Sequence, residues 1–198
     1  MEKNWKQWAV EYDDNEWPFS SAFSWEKAVE ENPNAFNLLQ FADQLRHCGH
    51  YAKAEEIIDK INVEDMPSKH KFSYYVKKGL LFEAQGKTEN AIEEYRKSIE
   101  AGTDQTYPYI FLAVQLSMKG RLDEAERMLL EALNKEGDID EAYYNLSTIY
   151  ARQGDFEKAI TAMQECLRLD PNYSSNAKAF LEDFKNMETI KGIQNEAM

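Results

Sequence analysis

The chain has 198 residues, 43 % hydrophobic and 13 % aromatic, a composition that folds and excludes a disordered tract. A formal net charge of −13 speaks against a phosphate backbone as direct ligand, so no nucleic acid is expected; a basic partner would be attracted, although the same acid also keeps a surface soluble. Two distant cysteines, Cys48 and Cys166, imply no disulfide framework, and no segment approaches the roughly 18–20 apolar residues of a membrane span, so a cytoplasmic, membrane-free protein is expected.

Glycine and proline are scarce, which favours long helices over many short strands. Trp5, Trp8, Ala9 and Tyr12 share one helical face and predict a first helix. Glu16-Trp17-Pro18 forms the turn, and Ser21, Trp25, Ala28 and Pro33 mark a second helix and its stop. Leu38, Phe41, Ala42 and Leu45 predict a third helix, Gly49 a turn, and Ala54 and Ile58 a fourth. An insertion around Pro67 to Lys71 precedes the next pair, carried by Tyr75, Gly79, Phe82, Gly86, Ala91 and Tyr95. Tyr109, Leu112, Ala113, Leu116, Gly120, Ala125 and Leu129 predict a fourth pair. Tyr143, Leu146, Ser147, Tyr150, Gly154, Ala159, Met163 and Pro171 predict a fifth. Beyond Tyr173, the stripe Ala177, Phe180, Leu181 and Phe184 predicts a capping helix started by Ser174 or Ser175, with a tail that frays after about Ile190.

These elements recur. Gly86, Gly120 and Gly154 fall in step at 34 residues, and so do Ala91, Ala125 and Ala159. The alanines sit where paired helices cross, and a larger side chain there would overpack. Gly120 and Gly154 suit a left-handed helix end, and Asp123 and Asp155 complement the free amides of the helix that follows.

Period and pattern together resemble the tetratricopeptide repeat. The resemblance implies an all-α fold: a right-handed superhelical α-solenoid of about five helix pairs plus a C-terminal capping helix. A single domain over residues 2–190 is expected, with repeats at about 2–34, 35–71, 72–105, 106–139 and 140–173, a cap at 174–190 and a frayed tail at 191–198. Each unit alone cannot bury its apolar face, and stacking supplies the core.

No nucleotide loop, nucleophile elbow or paired-histidine zinc motif is present, so an enzyme is not expected and no cofactor, metal or catalytic residue is assigned. His47-Cys48-Gly49-His50 places three potential ligands within four residues, but across a helix end and with no second cluster to complete a tetrahedral site. Cys166 shares the small-residue position of Ala28 and Ala132 and reads as a buried structural thiol. Glu30-Glu31, Glu55-Glu56 and Glu93-Glu94 read as solvated convex faces.

The resemblance further implies that first helices line a concave groove that holds a peptide. One use of the family is a carboxylate clamp for heat-shock chaperones; Lys6 and Lys77 fall at two of its places, whereas Val10, Gln40 and Ser73 hold the others. The expected groove is instead an apolar strip of Leu39, Val76, Leu80, Tyr107, Ile110, Val114, Met118 and Tyr144, with an acidic rim that includes Asp13, Asp14, Asp43, Glu83 and Glu141. The function this supports is a scaffold or adaptor binding an apolar or amphipathic polypeptide segment, basic beside its apolar anchors. An immunity- or antitoxin-type inhibitor of a basic toxin is the alternative, and a cryptic enzyme or enzyme subunit the third. The alternatives to a foreign partner are that part of the strip is core, that the chain's own terminal segment covers it, or that self-association buries it.

Overall fold

The computed structural model describes residues 4–14, 17–174 and 176–196. Among them are eleven α-helices and no strand: α1 (Trp5–Asp14), α2 (Pro18–Glu31), α3 (Ala35–His47), α4 (Tyr51–Ile58), α5 (Ser68–Ala84), α6 (Thr88–Glu100), α7 (Tyr107–Met118), α8 (Leu122–Ala132), α9 (Ile139–Gln153), α10 (Phe156–Leu169) and α11 (Ala177–Glu196). These are the ten repeat helices and the cap expected from the sequence. A single 3₁₀ turn, Val63–Asp65, occupies the insertion before α5. The cap helix extends from Ala177 to Glu196.

Local chemistry explains the breaks. Gly49, Gly86, Gly120 and Gly154 end their helices with φ between 72° and 80°, the left-handed conformation that a Cβ disfavours. Pro18 starts α2 in the first helical turn, where its missing N–H is not needed. The Asn34 side chain accepts from the Asn37 amide at 2.9 Å and caps α3, and Asp155 caps α10 through the Lys158 amide at 3.2 Å. Asp123 does not cap: Arg121 holds that position in α8, and Asp123 acts through the first-turn dipole. Ser174 accepts from the Asn176 amide at 3.2 Å ahead of α11; the alternative cap, Ser175, lies outside the described residues.

The chain divides into two compact units at Thr103 and Asp104. The first packs α1 on α2, α3 on α4 and α5 on α6, with α3 also against α2 and α5. Its core holds Ala9, Trp25, Ala28, Leu39, Phe41, Ala42, Leu45, Ala54 and Ile58, all buried. The small residues let helix axes approach while the large ones fill the gaps between them. In the second unit α7 packs on α8 and α9 on α10, and α11 closes α10. Ala159, Met163, Ala177 and Phe184 form the core under that cap. The loops ahead of α7 and α9 are tied by a bridge between Gln105 and Glu136, in which the Thr106 amide donates to the Glu136 carbonyl at 2.9 Å.

Candidate functional site

The first helix of each pair repeats its positions, so equivalent residues can be compared directly. One series, Leu39, Val76, Ile110 and Tyr144, was expected to face the groove. Leu39, Val76 and Ile110 are buried, at 3 %, 4 % and 1 % exposure. They are core, and this corrects three of the eight expected groove residues. The reason is geometric where the neighbours are described: α3 packs on α5 and α7 on α9, so this position points at the next first helix rather than at the groove. Tyr144 has no next repeat, and its ring lies 5.0 Å from that of Tyr173 and 6.3 Å from that of Phe180. The chain's own cap therefore partly covers it.

The series that does reach the surface lies one residue further along. On α7 it comprises Tyr107, Phe111, Val114 and Met118, spaced i, i+4, i+7 and i+11 on one face. Tyr107, Phe111 and Val114 are half-buried and Met118 is 68 % exposed. The Tyr107 and Phe111 rings stand 5.9 Å apart. No residue of α7 carries a charge. Phe111 is the member that the sequence reading left out of the strip.

Opposite this stripe α9 presents Asn145 and Thr148, with Arg152 at its end. The Asn145 amide donates to the Glu141 carbonyl at 2.9 Å and the Thr148 hydroxyl to the Asn145 carbonyl at 2.8 Å, so both turn back on their own helix. Arg152 ties α9 to α7, donating to the Ser117 carbonyl at 2.9 Å and to its hydroxyl. Between the helices lies a notch of about 180 Å³ lined by Val114, Met118, Asn145 and Thr148. Glu141 is partly buried near Asp138 and Asp140; burial first, then those two charges, raises its carboxyl above the usual range.

In the first unit the same face is built differently. Asp43 on α3 accepts from Arg46 at 2.8 and 3.0 Å and from the Lys77 ammonium of α5. Burial alone would raise the Asp43 carboxyl, but the charges and hydrogen bonds of Lys77 and Arg46 prevail and hold it below the ordinary value. Asp43 is thus a neutralised, buried partner and not part of an open acidic rim. Glu83 keeps an exposed position but accepts from the Tyr95 hydroxyl at 2.7 Å. The side chains of Asp13 and Asp14 lie outside the described residues. Leu80 is half-buried.

A cleft of about 470 Å³ opens where the insertion meets the starts of α3 and α5, with Phe36, Leu39, Gln40, Met66, Pro67 and His70 among its walls. The Lys6 ammonium lies 4.4 Å from the centre of the Phe36 ring beside it. A further depression of about 450 Å³ in the second unit lies between α8, α9 and α10, on Leu130, Leu133 and Tyr143 with Glu157 and Lys158 at its edge.

His47, Cys48 and His50 end α3 and start α4, and Cys48 is half-buried. Among the described residues no three His, Cys, Asp or Glu side chains converge as metal ligands do. No helix among them is long and apolar enough to cross a membrane.

Tetratricopeptide-repeat profiles match residues 72–101, 107–131 and 140–173. A TPR repeat-containing protein of Methanocaldococcus jannaschii is 34 % identical over 83 residues, which are 42 % of this chain and 14 % of that protein. The chain thus spans about a seventh of that curated relative. A solved TPR protein of Thermus thermophilus superposes with a TM-score of 0.70 at 18 % identity, covering 89 % of this chain and 94 % of the other. A MamA fragment from Desulfovibrio magneticus does so with a TM-score of 0.68 at 14 % identity, covering 86 % and 96 %. The first TPR of Spaghetti (RPAP3), solved with the HSP90 peptide SRMEEVD, gives 0.58 at 20 % identity over 63 % and 97 %. Three stretches of the chain are thus similar to the tetratricopeptide repeat, and the chain has an all-α solenoid fold, a fold that suggests an interaction scaffold.

Proposed function

We propose that the chain is a non-catalytic scaffold that binds an apolar or amphipathic polypeptide segment across the exposed stripe of α7. The observation that carries this is a helix with no charged residue whose accessible face is Tyr107, Phe111, Val114 and Met118. Accessible helix faces in water are ordinarily polar, and an apolar row of this length gains about 25 cal/mol for every Å² it buries. The notch beside Met118 accepts one apolar side chain, and the chain's net charge of −13 favours a segment with basic residues next to its anchors.

The neighbour solved with an HSP90 peptide holds the acidic sequence SRMEEVD. In this chain the Lys77 ammonium is taken by Asp43, and Lys6 lies on Phe36. That supports an apolar ligand over a carboxylate one.

The test uses a partner recovered from native lysate by pull-down and then purified. Phe111→Glu and Met118→Glu are each expected to abolish its capture with helicity and melting temperature unchanged. Full capture by both variants would overturn the reading.

A further inference from the structure

The five second helices offer an internal control for a surface outside the first-helix stripe. Ser21, Ala54, Ala91, Ala125 and Ala159 are equivalent and fully buried. Two residues before them stand Phe19, Ala52, Glu89, Asp123 and Glu157; two residues after them stand Phe23, Glu56, Glu93, Arg127 and Thr161. All ten are exposed. Four pairs place polar or small side chains in water there, as an outer face requires. The first places phenylalanine at both positions, 70 % and 51 % exposed.

The two rings do not stand alone. Phe19 and Phe23 are one turn apart on α2, and the Trp5 ring of α1 meets Phe23 edge-on at 5.8 Å while remaining 37 % exposed. Together they leave on the order of 300 Å² of aromatic surface in water, the size of patch that marks contacts. In sequence, residues 4–31 are acidic: they carry Lys6 and Lys27 against Glu11, Asp13, Asp14, Glu16, Glu26, Glu30 and Glu31, a net −5. Lys27 is itself paired with Glu30 at 2.7 Å.

We propose that the outer face of α1 and α2 is a second docking site, and that its occupant is a cationic amphipathic helix of another protein. Apolar anchors one turn apart on that helix pack between Phe19, Phe23 and Trp5, and flanking Lys or Arg meet the acidic surround. A second copy of this chain fits poorly. It would bring the same net −5 to the contact, and the patch falls well short of the roughly 800 Å² per partner of a stable dimer. An anionic bilayer is repelled by the same charge. With the α7 stripe, the site would let the scaffold hold two partners.

The experiment selects a displayed library of amphipathic helical peptides of about 18 residues against the whole chain, with counter-selection on a Phe19→Gln, Phe23→Gln double variant. That variant keeps every charge, so merely electrostatic binders are removed by counter-selection. Both residues are exposed, so folding should hold, and circular dichroism checks it. Expected are peptides with apolar residues at i and i+4 or i+7 and Lys or Arg beside them. They should lose at least tenfold in affinity on the double variant, recover on Phe19→Leu, Phe23→Leu, and bind Phe111→Glu normally. Peptides that are acidic, or that need Phe111 and not Phe19, overturn the proposal while leaving the α7 site standing. So does no variant-dependent enrichment. A dimer in sedimentation of the protein alone, lost in the double variant, assigns the face to a second copy. Flotation with phosphatidylserine-containing vesicles that depends on Phe19 assigns it to a membrane. Either result overturns the proposal.

Discussion

A Cβ placed on Gly79 of α5 would lie 2.5 Å from Cε1 of Tyr95 on α6. The Tyr95 ring is fully buried and its hydroxyl is anchored to Glu83, so it cannot yield. The third pair thus carries glycine where the others carry Ala9, Ala42, Ala113 or Ser147, and the Tyr95 ring fills the space a Cβ would take.

Gly79→Ala is therefore expected to destabilise the chain by about 1–3 kcal/mol, even though alanine gains up to about 1 kcal/mol in helix propensity. Gly192→Ala in α11 meets nothing within 4 Å and should be neutral or stabilising. Urea denaturation of the two variants measures the contrast, and equal midpoints would refute the close packing of α5 on α6.

The Asp43 carboxyl is held below its ordinary value of 3.8 in the folded chain. Its contribution to stability is present above about pH 4 and is lost as pH falls through the lower, folded value. Asp43→Asn should remove that part of the acid limb and destabilise the protein at pH 7 by about 3 kcal/mol, since Lys77 and Arg46 lose a buried counter-charge. Glu141 acts oppositely: its carboxyl is raised, so protonating it as pH falls through that raised value relieves a cost of folding. Denaturation midpoints from pH 3 to 7 check both signs.

Ile110→Glu buries a charge in the packing of α7 and should unfold the protein or lower its melting temperature sharply, whereas Phe111→Glu, one residue on, should leave it folded. Thermal melts of the pair test the helix register independently of any partner. Equal losses would place Phe111 in the core as well.

Cys166 is fully buried, and burial, helped by Asp140 and Asp170, pushes its thiol up to about 11. Cys48 is half-buried, and burial raises its thiol too. A disulfide reagent at pH 8 should modify Cys48 first and reach Cys166 at the rate of unfolding. The order of labelling by mass spectrometry decides it; simultaneous reaction would mean an open α10.

Much of this protein was legible in one dimension. Helix count, turn glycines and the Ala125 and Ala159 crossings follow from a repeat whose spacing matches the helical period, because each unit contacts only its neighbours and local pattern dictates local packing. The candidate site was legible only to within one residue. Ile110 and Phe111 are both large and apolar, and their faces differ by about 100° of helix rotation. Which one points at α9 and which at solvent is set by how α7 rotates against its neighbours, and no periodicity encodes that rotation. The same holds for charge: Asp43 was expected on an open acidic rim, and only the packing of α3 on α5 brings it to Lys77. Sequence settles which residues a helix has; tertiary packing decides which of them water still sees.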